Sequence, residues 1–183
     1  MQIDEKRINA LVKEIQENDQ SAFKEFFFIM QPAIYNFLFR YSCNKESAED
    51  LTQETFIRFW IHRNRLNLHS SPKAYLYKIA RNLALNYLDR ETKPEIFPRE
   101  DDYLLLLSQK TKEDLEEVFF LDDCQNAINL LPERCRATFL LSRFGGFDYT
   151  EIAEIMDVSL QTVKNQMNKA ISVLRKLLAH HVN

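Results

Sequence analysis

The sequence predicts an all-α protein of two small helical domains, a four-helix N-terminal bundle and a C-terminal helix-turn-helix domain, joined by an acidic linker. Three observations carry that expectation. The 183 residues include two glycines, Gly145 and Gly146, which leaves almost no turn chemistry on which strands could fold back. Apolar side chains recur at i, i+3, i+4 over most of the chain, the period of a helix with one buried face. From Pro94 to about Thr111 that period lapses, apart from four leucines at 104–107, and acids accumulate. A hydrophobic fraction of 45% is enough for a packed core without disulfide or metal staples.

Ile8, Leu11, Val12 and Ile15 predict a first helix over about 6–16. Asp19 is the expected N-cap of a long second helix carrying Phe23, Phe26, Phe27, Met30, Ile34, Phe37, Leu38 and Tyr41. Pro32 is expected to kink or interrupt it, and its aromatic stripe reads as core. After Asn44, the residues Ala48, Leu51, Thr55, Phe56, Phe59 and Trp60 define a third helix ending near 63. Ser71 at the N-cap and Pro72 at the first helical position open a fourth, running through Ala74, Tyr77, Ala80, Ala84 and Leu88. Pro94 and Pro98 break the pattern. Helices resume with Leu115, Val118 and Ala127, restart at Pro132 and stop at the two glycines. The expected division is therefore 1–93, a linker at 94–113, and 114–183.

A net charge of -3 hides an uneven distribution. Residues 58–93 hold eight basic side chains against Asp89 and Glu91, and from Ser159 onward Lys164, Lys169, Arg175 and Lys176 stand without an acid. Residues 94–123 hold ten acids against three bases. A charge run alone is ordinary solvated surface, but two basic helical zones separated by an acidic one point to nucleic acid. Cys43, Cys124 and Cys135 are odd in number and lack ligand spacing, so they read as reduced thiols, and no metal or cofactor is expected. The N-terminus is patterned as an amphipathic helix, and no run approaches the ~18 apolar residues of a membrane span, so a cytoplasmic protein is expected.

Asp148 with Glu151 three residues on predicts a capped short helix with Ile152, Ala153, Ile155 and Met156 turned inward. Asp157, Val158 and Ser159 then form a turn, and Ser159 caps a second helix whose apolar face is Leu160, Val163, Met167, Ala170, Ile171 and Leu174. Gln161, Thr162, Lys164, Asn165, Gln166, Asn168 and Lys169 are expected to face outward near its start. These residue types hydrogen-bond base edges and phosphates, and a recognition helix enters the major groove with its N-terminal residues leading. On the third helix Asp50, Gln53, Glu54 and Ile57 share one face, a stripe suited to a protein partner carrying basic residues. On the fourth, Lys78, Arg81, Asn82 and Asn86 lie along one side, preceded by a polar loop with Asn64, Asn67, His69, Ser70 and Ser71. Such a loop beside a basic helix can hold an unstacked base, with Tyr75 and Tyr77 as either stacking platforms or core.

The segments SAEDLTQETFIRFW, SPKAYLYKIARNLALNYLDR and LLPERCRATFLLSRFGGFDYTEIAEIMDVSLQTVKNQMNKAISVLRKLL together resemble the small bacterial sigma factors of the extracytoplasmic-function group. The resemblance covers both halves of the chain in order and leaves the linker unmatched. It implies that Asp50, Gln53 and Glu54 dock on the clamp of core RNA polymerase. It implies that the loop and helix from Asn64 to Arg90 open and read the minus-ten promoter element, and that the helix at Ser159 reads the minus-thirty-five element. The acidic linker would pass through the polymerase cleft; largely extended, residues 94–113 reach roughly 65 Å. The resemblance further implies an anti-sigma factor, often membrane-bound, that masks the polymerase-binding surfaces. Lys164, Gln166, Asn168 and Lys169 depart from the commoner pattern of more Arg and aromatic residues, so the upstream promoter sequence does not carry over.

Two other readings compete. A stand-alone repressor or activator would use only the helix-turn-helix, would need dimer symmetry, and would bind duplex DNA specifically without polymerase. An enzyme acting on a small-molecule substrate would need catalytic groups, and no Ser-His-Asp grouping, metal spacing or glycine-rich phosphate loop is present.

Overall fold

The structure is a computed structural model describing residues 5–42, 44–66, 71–90 and 123–179. Its regular secondary structure among these residues is entirely helical. The first helix, α1 (Glu5–Gln16), buries Ile8, Leu11, Val12 and Ile15 on one face, as their spacing predicts. A bidentate ion pair at 2.8 and 2.5 Å joins its Arg7 to Glu25 of α2 (Gln20–Ser42) and holds the Glu25 carboxyl below its ordinary pKa. Asp19 caps α2, its carboxylate accepting from the backbone N–H groups of Ser21 and Ala22 at 2.7 and 3.1 Å. Of the two outcomes expected at Pro32, a kink or a break, the break does not occur, and α2 runs through it. Pro32 is exposed, and the Phe28 carbonyl it leaves without an N–H partner belongs to a residue 64% exposed, so water can satisfy it.

Asn44 caps α3 (Lys45–Ile61) by accepting from Ser47 N–H at 2.9 Å. That helix ends slightly before the expected position and passes into a 3-10 turn at Arg63–Arg65. Ser71 Oγ accepts from Ala74 N–H at 3.3 Å to open α4 (Pro72–Arg90), with Pro72 first in the helix. The aromatic stripe of α2 is core. Phe26 stacks on Phe59 at 4.7 Å and meets Phe56 edge-on at 6.2 Å, while Phe23 lies against Trp60 at 4.8 Å. Each fully buried ring of this kind contributes about 2–3 kcal/mol of transfer free energy. Tyr77 is buried and Tyr75 half-buried beside Phe59, so both pack as core and neither is a free stacking platform.

The second half consists of α5 (123–129), α6 (Glu133–Arg143), α7 (Tyr149–Met156) and α8 (Leu160–Leu177). The linker at 94–113, its reach, and the expected resumption of helix at 115 lie outside the described residues. The two glycines stop α6 for different reasons. A Cβ on Gly145 would lie 2.6 Å from the Leu141 carbonyl oxygen and 2.7 Å from the Phe147 ring, whereas Gly146 has φ +69°, where an L side chain is strained. The chain reverses there and buries Phe147.

The two halves share one apolar core. Helices α2 and α4 of the first bundle pack against α6 and α7 of the second, and Tyr77 of α4 meets Phe147 edge-on at 4.9 Å.

Candidate nucleic-acid interface

The stripe on α3 is formed as its spacing predicts. Asp50 and Gln53 are exposed, Glu54 is half-buried, and Ile57 is 52% exposed on the face opposite the buried Ala48, Thr52, Thr55, Phe56 and Phe59. Glu54 holds Arg58 Nε at 2.6 Å in an i, i+4 ion pair, worth about 0.3–0.5 kcal/mol at an exposed helical site and easily exchanged for another cation. Ile61, one turn beyond Ile57 and 60% exposed, lengthens the stripe into a surface with an acidic start and an apolar end. Sequence reasoning stopped at Ile57. The same i+4 step that joins Gln53 to Ile57 reaches Ile61.

The start of the polar loop is anchored by the first helix. Gln16 Nε2 donates to the carbonyls of Arg63 and Leu66 at 3.1 and 2.9 Å, and Arg63 reaches Asn18 Oδ1 while its guanidinium lies 4.3 Å over the Trp60 ring. Asn64 is exposed at the tip of this anchored turn, and Ser71 is exposed but engaged as a cap. Asn67, His69 and Ser70 lie outside the described residues. On α4, Asn82 and Asn86 are exposed and Lys78 is half-buried. Arg81, expected on the same open side, is turned toward the second half of the chain: its side chain is 14% exposed and its Nη2 is 3.8 Å from Glu133 Oε1. Asn82 Oδ1, at 3.2 Å from Nη1, is a closer polar contact.

The helix-turn-helix is built by local chemistry. Asp148 accepts from Thr150 and Glu151 N–H at 2.7 and 2.9 Å while Glu151 accepts from Asp148 N–H at 2.9 Å, a full capping box. Ile152, Ile155 and Met156 are buried and Ala153 is half-buried. Asp157 takes the left-handed conformation (φ 57°, ψ 50°) and turns the chain. Ser159 caps α8, its Oγ accepting from Thr162 N–H at 3.1 Å and lying 2.8 Å from Thr162 Oγ1. Gln161, Lys164, Asn165, Asn168 and Lys169 are exposed along one side, and Thr162 is half-buried. Gln161 Nε2 donates to Asn165 Oδ1 at 3.0 Å, a pair one helical turn apart that presents two amides together.

Two expectations are corrected. Gln166 does not face outward: it is half-buried and its Oε1 lies 2.7 Å from the buried Thr138 Oγ of α6, which can donate to it or to the Arg134 carbonyl at 2.9 Å. Leu160 is not buried with the apolar face; it is 41% exposed at the first position of α8, where the exposed Ser159 and Gln161 flank it. Val163, Met167 and Ala170 form the buried face, with Ile171 and Leu174 half-buried. Cys135 is buried and Cys124 half-buried, both unpaired, and burial raises both thiol pKa values. Among the described residues no group of three or more His, Cys, Asp or Glu is arranged to hold a metal, and no helix is long and apolar enough to cross a membrane.

Comparison with known proteins fits this arrangement. Residues 29–93 match the model of sigma-70 region 2, and residues 121–174 match that of sigma-70 region 4. The ECF RNA polymerase sigma factor SigW of Bacillus subtilis is 28% identical over 95% of this chain and 98% of its own length. SigM of the same organism is 29% identical over 82% and 91%, and SigE of Mycolicibacterium smegmatis 31% identical over 81% of this chain and 58% of its own. Among solved structures, CnrH in complex with the cytosolic domain of CnrY superposes with a TM-score of 0.71 at 18% identity, over 97% of this chain and 99% of that one. The sigma factor RpoE in complex with the anti-sigma factor NepR from Bartonella quintana gives 0.66 at 24%, over 86% and 96%. At these identities the two structures speak for the fold. An all-helical chain with region 2 followed by region 4 defines a transcription initiation factor. The chain belongs to the extracytoplasmic-function sigma factors of the sigma-70 family, which direct RNA polymerase to promoters.

Proposed function

We propose that the chain divides its work along its length: residues 1–93 bind core polymerase and the minus-ten element, 94–113 link, and 114–183 bind the minus-thirty-five element. The observation that carries this is the α3 stripe, where Asp50, Gln53, Glu54, Ile57 and Ile61 are left open to a partner by a bundle that buries the opposite face. An acidic surface repels DNA and attracts a basic protein. The clamp of core polymerase is that protein. Asn64, Ser71, Lys78, Arg81, Asn82 and Asn86, with Asn67, His69 and Ser70, contact the minus-ten element. Ser159, Gln161, Thr162, Lys164, Asn165, Asn168 and Lys169 contact the minus-thirty-five element, with Gln166 supporting the helix from within and Leu160 offering an apolar contact to a thymine methyl. The protein has no catalysis of its own and works in the cytoplasm. An anti-sigma factor, like the NepR bound to the neighbour RpoE, holds it inactive by covering the polymerase-binding stripe.

In vitro transcription with purified core polymerase tests this. The chain is expected to bind core and direct initiation, and Asp50→Arg with Glu54→Arg is expected to lower core affinity at least about tenfold, since it removes two attractions and adds two repulsions. Both positions lie outside the core, so circular dichroism should show an unchanged fold. Normal core affinity in the folded double variant refutes the docking assignment.

A further inference from the structure

The open side of α8 is ordered by chemistry. At about 100° per residue, Gln161, Asn165 and Asn168 fall in one row along the helix, with Lys164 on one flank and Lys169 on the other. All of these side chains are exposed. Their neighbours are engaged: Thr162 Oγ1 lies 2.8 Å from the capping Ser159 Oγ, and Gln166 Oε1 lies 2.7 Å from Thr138 Oγ of α6. The row is therefore made of amides, with cations at its edges. Its first two amides are not independent, because Gln161 Nε2 donates to Asn165 Oδ1 at 3.0 Å. A lone surface amide can turn over and exchange its oxygen for its nitrogen, whereas this contact holds Asn165 Oδ1 toward Gln161 and Nδ2 away from it. It occupies one of the two lone pairs of Oδ1 and neither hydrogen of Nδ2, so the Asn165 amide keeps an acceptor and a donor side by side. That order matches the major-groove edge of adenine, whose N6 amino group donates and whose N7 accepts. Guanine offers O6 and N7, two acceptors, and in the same approach a fixed Oδ1 would face O6 with no proton between them.

We infer, resting on the assignment of α8 to the minus-thirty-five element, that Asn165 reads an adenine there through a bidentate contact and that Gln161 is the positioning residue that fixes the order of its donor and acceptor. Lys164 and Lys169, on opposite flanks of the row, hold the phosphates. Base identity is thus carried by neutral amides and affinity by the lysines beside them. A side chain that touches only phosphate strengthens binding to every sequence alike, whereas one that reads a base edge sets the preference at a single position.

The two roles separate when the full-length chain, bound to core polymerase, selects duplexes from a pool randomised across both promoter elements and the bound DNA is sequenced. The unaltered chain is expected to favour adenine over guanine at one upstream position by about ten- to a hundredfold, the discrimination a good bidentate pair supplies. Asn165→Ala is expected to erase that preference and leave the other positions as they were. Asn165→Asp, with acceptors only, is expected to move it to cytosine, whose N4 amino group donates. Gln161→Ala should lower the adenine-to-guanine ratio by at least about threefold, and Gln161→Lys, which keeps a donor toward Oδ1, should restore it. Both side chains are exposed, so thermal melting of these variants should match that of the unaltered chain. Base preferences unchanged by Asn165→Ala overturn the readout, and an unchanged adenine-to-guanine ratio in Gln161→Ala overturns the positioning role. Lys164→Ala distinguishes these failures from a failure of the assignment beneath them. A uniform loss of affinity with Lys164→Ala, beside normal preferences with Asn165→Ala, keeps α8 on the DNA and rejects the amide readout alone. No change from either variant takes α8 off the DNA and overturns both readings.

Discussion

Single residues set the geometry of the DNA-reading unit. Asp157 carries the reversal between α7 and α8 in a left-handed conformation, which costs a residue with a Cβ roughly 1–2 kcal/mol and which Asp adopts more readily than most. The turn also satisfies the end of α7, with Val158 N–H donating to the Ala153 carbonyl at 3.0 Å. A β-branched side chain is far less tolerant there. Asp157→Val is expected to lower unfolding stability by about 1–2 kcal/mol in a urea titration and to weaken duplex binding through a misaligned α8. An unchanged midpoint would mean that the packing of α7 on α8, and not the turn, fixes their angle.

At the scale of elements, α8 is held as a rigid rod by its cap at one end and its buried face along its length, so its exposed side is presented without rearrangement. Ser159→Ala should cost about 1 kcal/mol of stability by orphaning the Thr162 N–H. Lys164→Ala should leave stability unchanged and weaken binding to upstream-element duplex, with a shallower salt dependence, measured by titration at several salt concentrations. The helices were legible in the sequence because caps and apolar periods are local: Asp19, Asn44, Ser71, Asp148 and Ser159 each act on a backbone N–H two or three residues away. The exposed polar side of α8 and the acidic-to-apolar stripe of α3 were legible for the same reason. The inward turn of Gln166 and the covering of Arg81 were not. Each depends on a partner far along the chain, Thr138 for one and Glu133 for the other, which no helical period encodes.

The whole molecule is joined through buried phenols. Burial and the adjacent Glu133 carboxylate push the Tyr41 pKa far above its ordinary value, and burial pushes that of Tyr77 up to about 12. In the unfolded chain both ionise near pH 10. The folded state therefore keeps protons that the unfolded state loses, so stability is intact below about pH 10 and falls as pH rises through the folded values, by up to about 1.4 kcal/mol per pH unit per phenol. Chemical denaturation across this range should show the decline, and Tyr41→Phe should make it shallower. A slope unaltered by Tyr41→Phe would place the titrating group elsewhere.

The amide of Gln16 that ties down the carbonyls of Arg63 and Leu66 has a consequence for where the chain can be cut. The region 2 match begins at residue 29, inside α2, but Leu11, Val12, Ile15 and Phe26 are completely buried before it. The matched segment is thus shorter than the piece that folds. A chain trimmed to residue 29 would lose one wall of the bundle and the anchor of the turn at Arg63–Arg65 together, and its cooperative melting transition is expected to disappear. The boundary of the region 2 match and the boundary drawn from packing differ here by two helical segments, and a shortened protein should respect the latter.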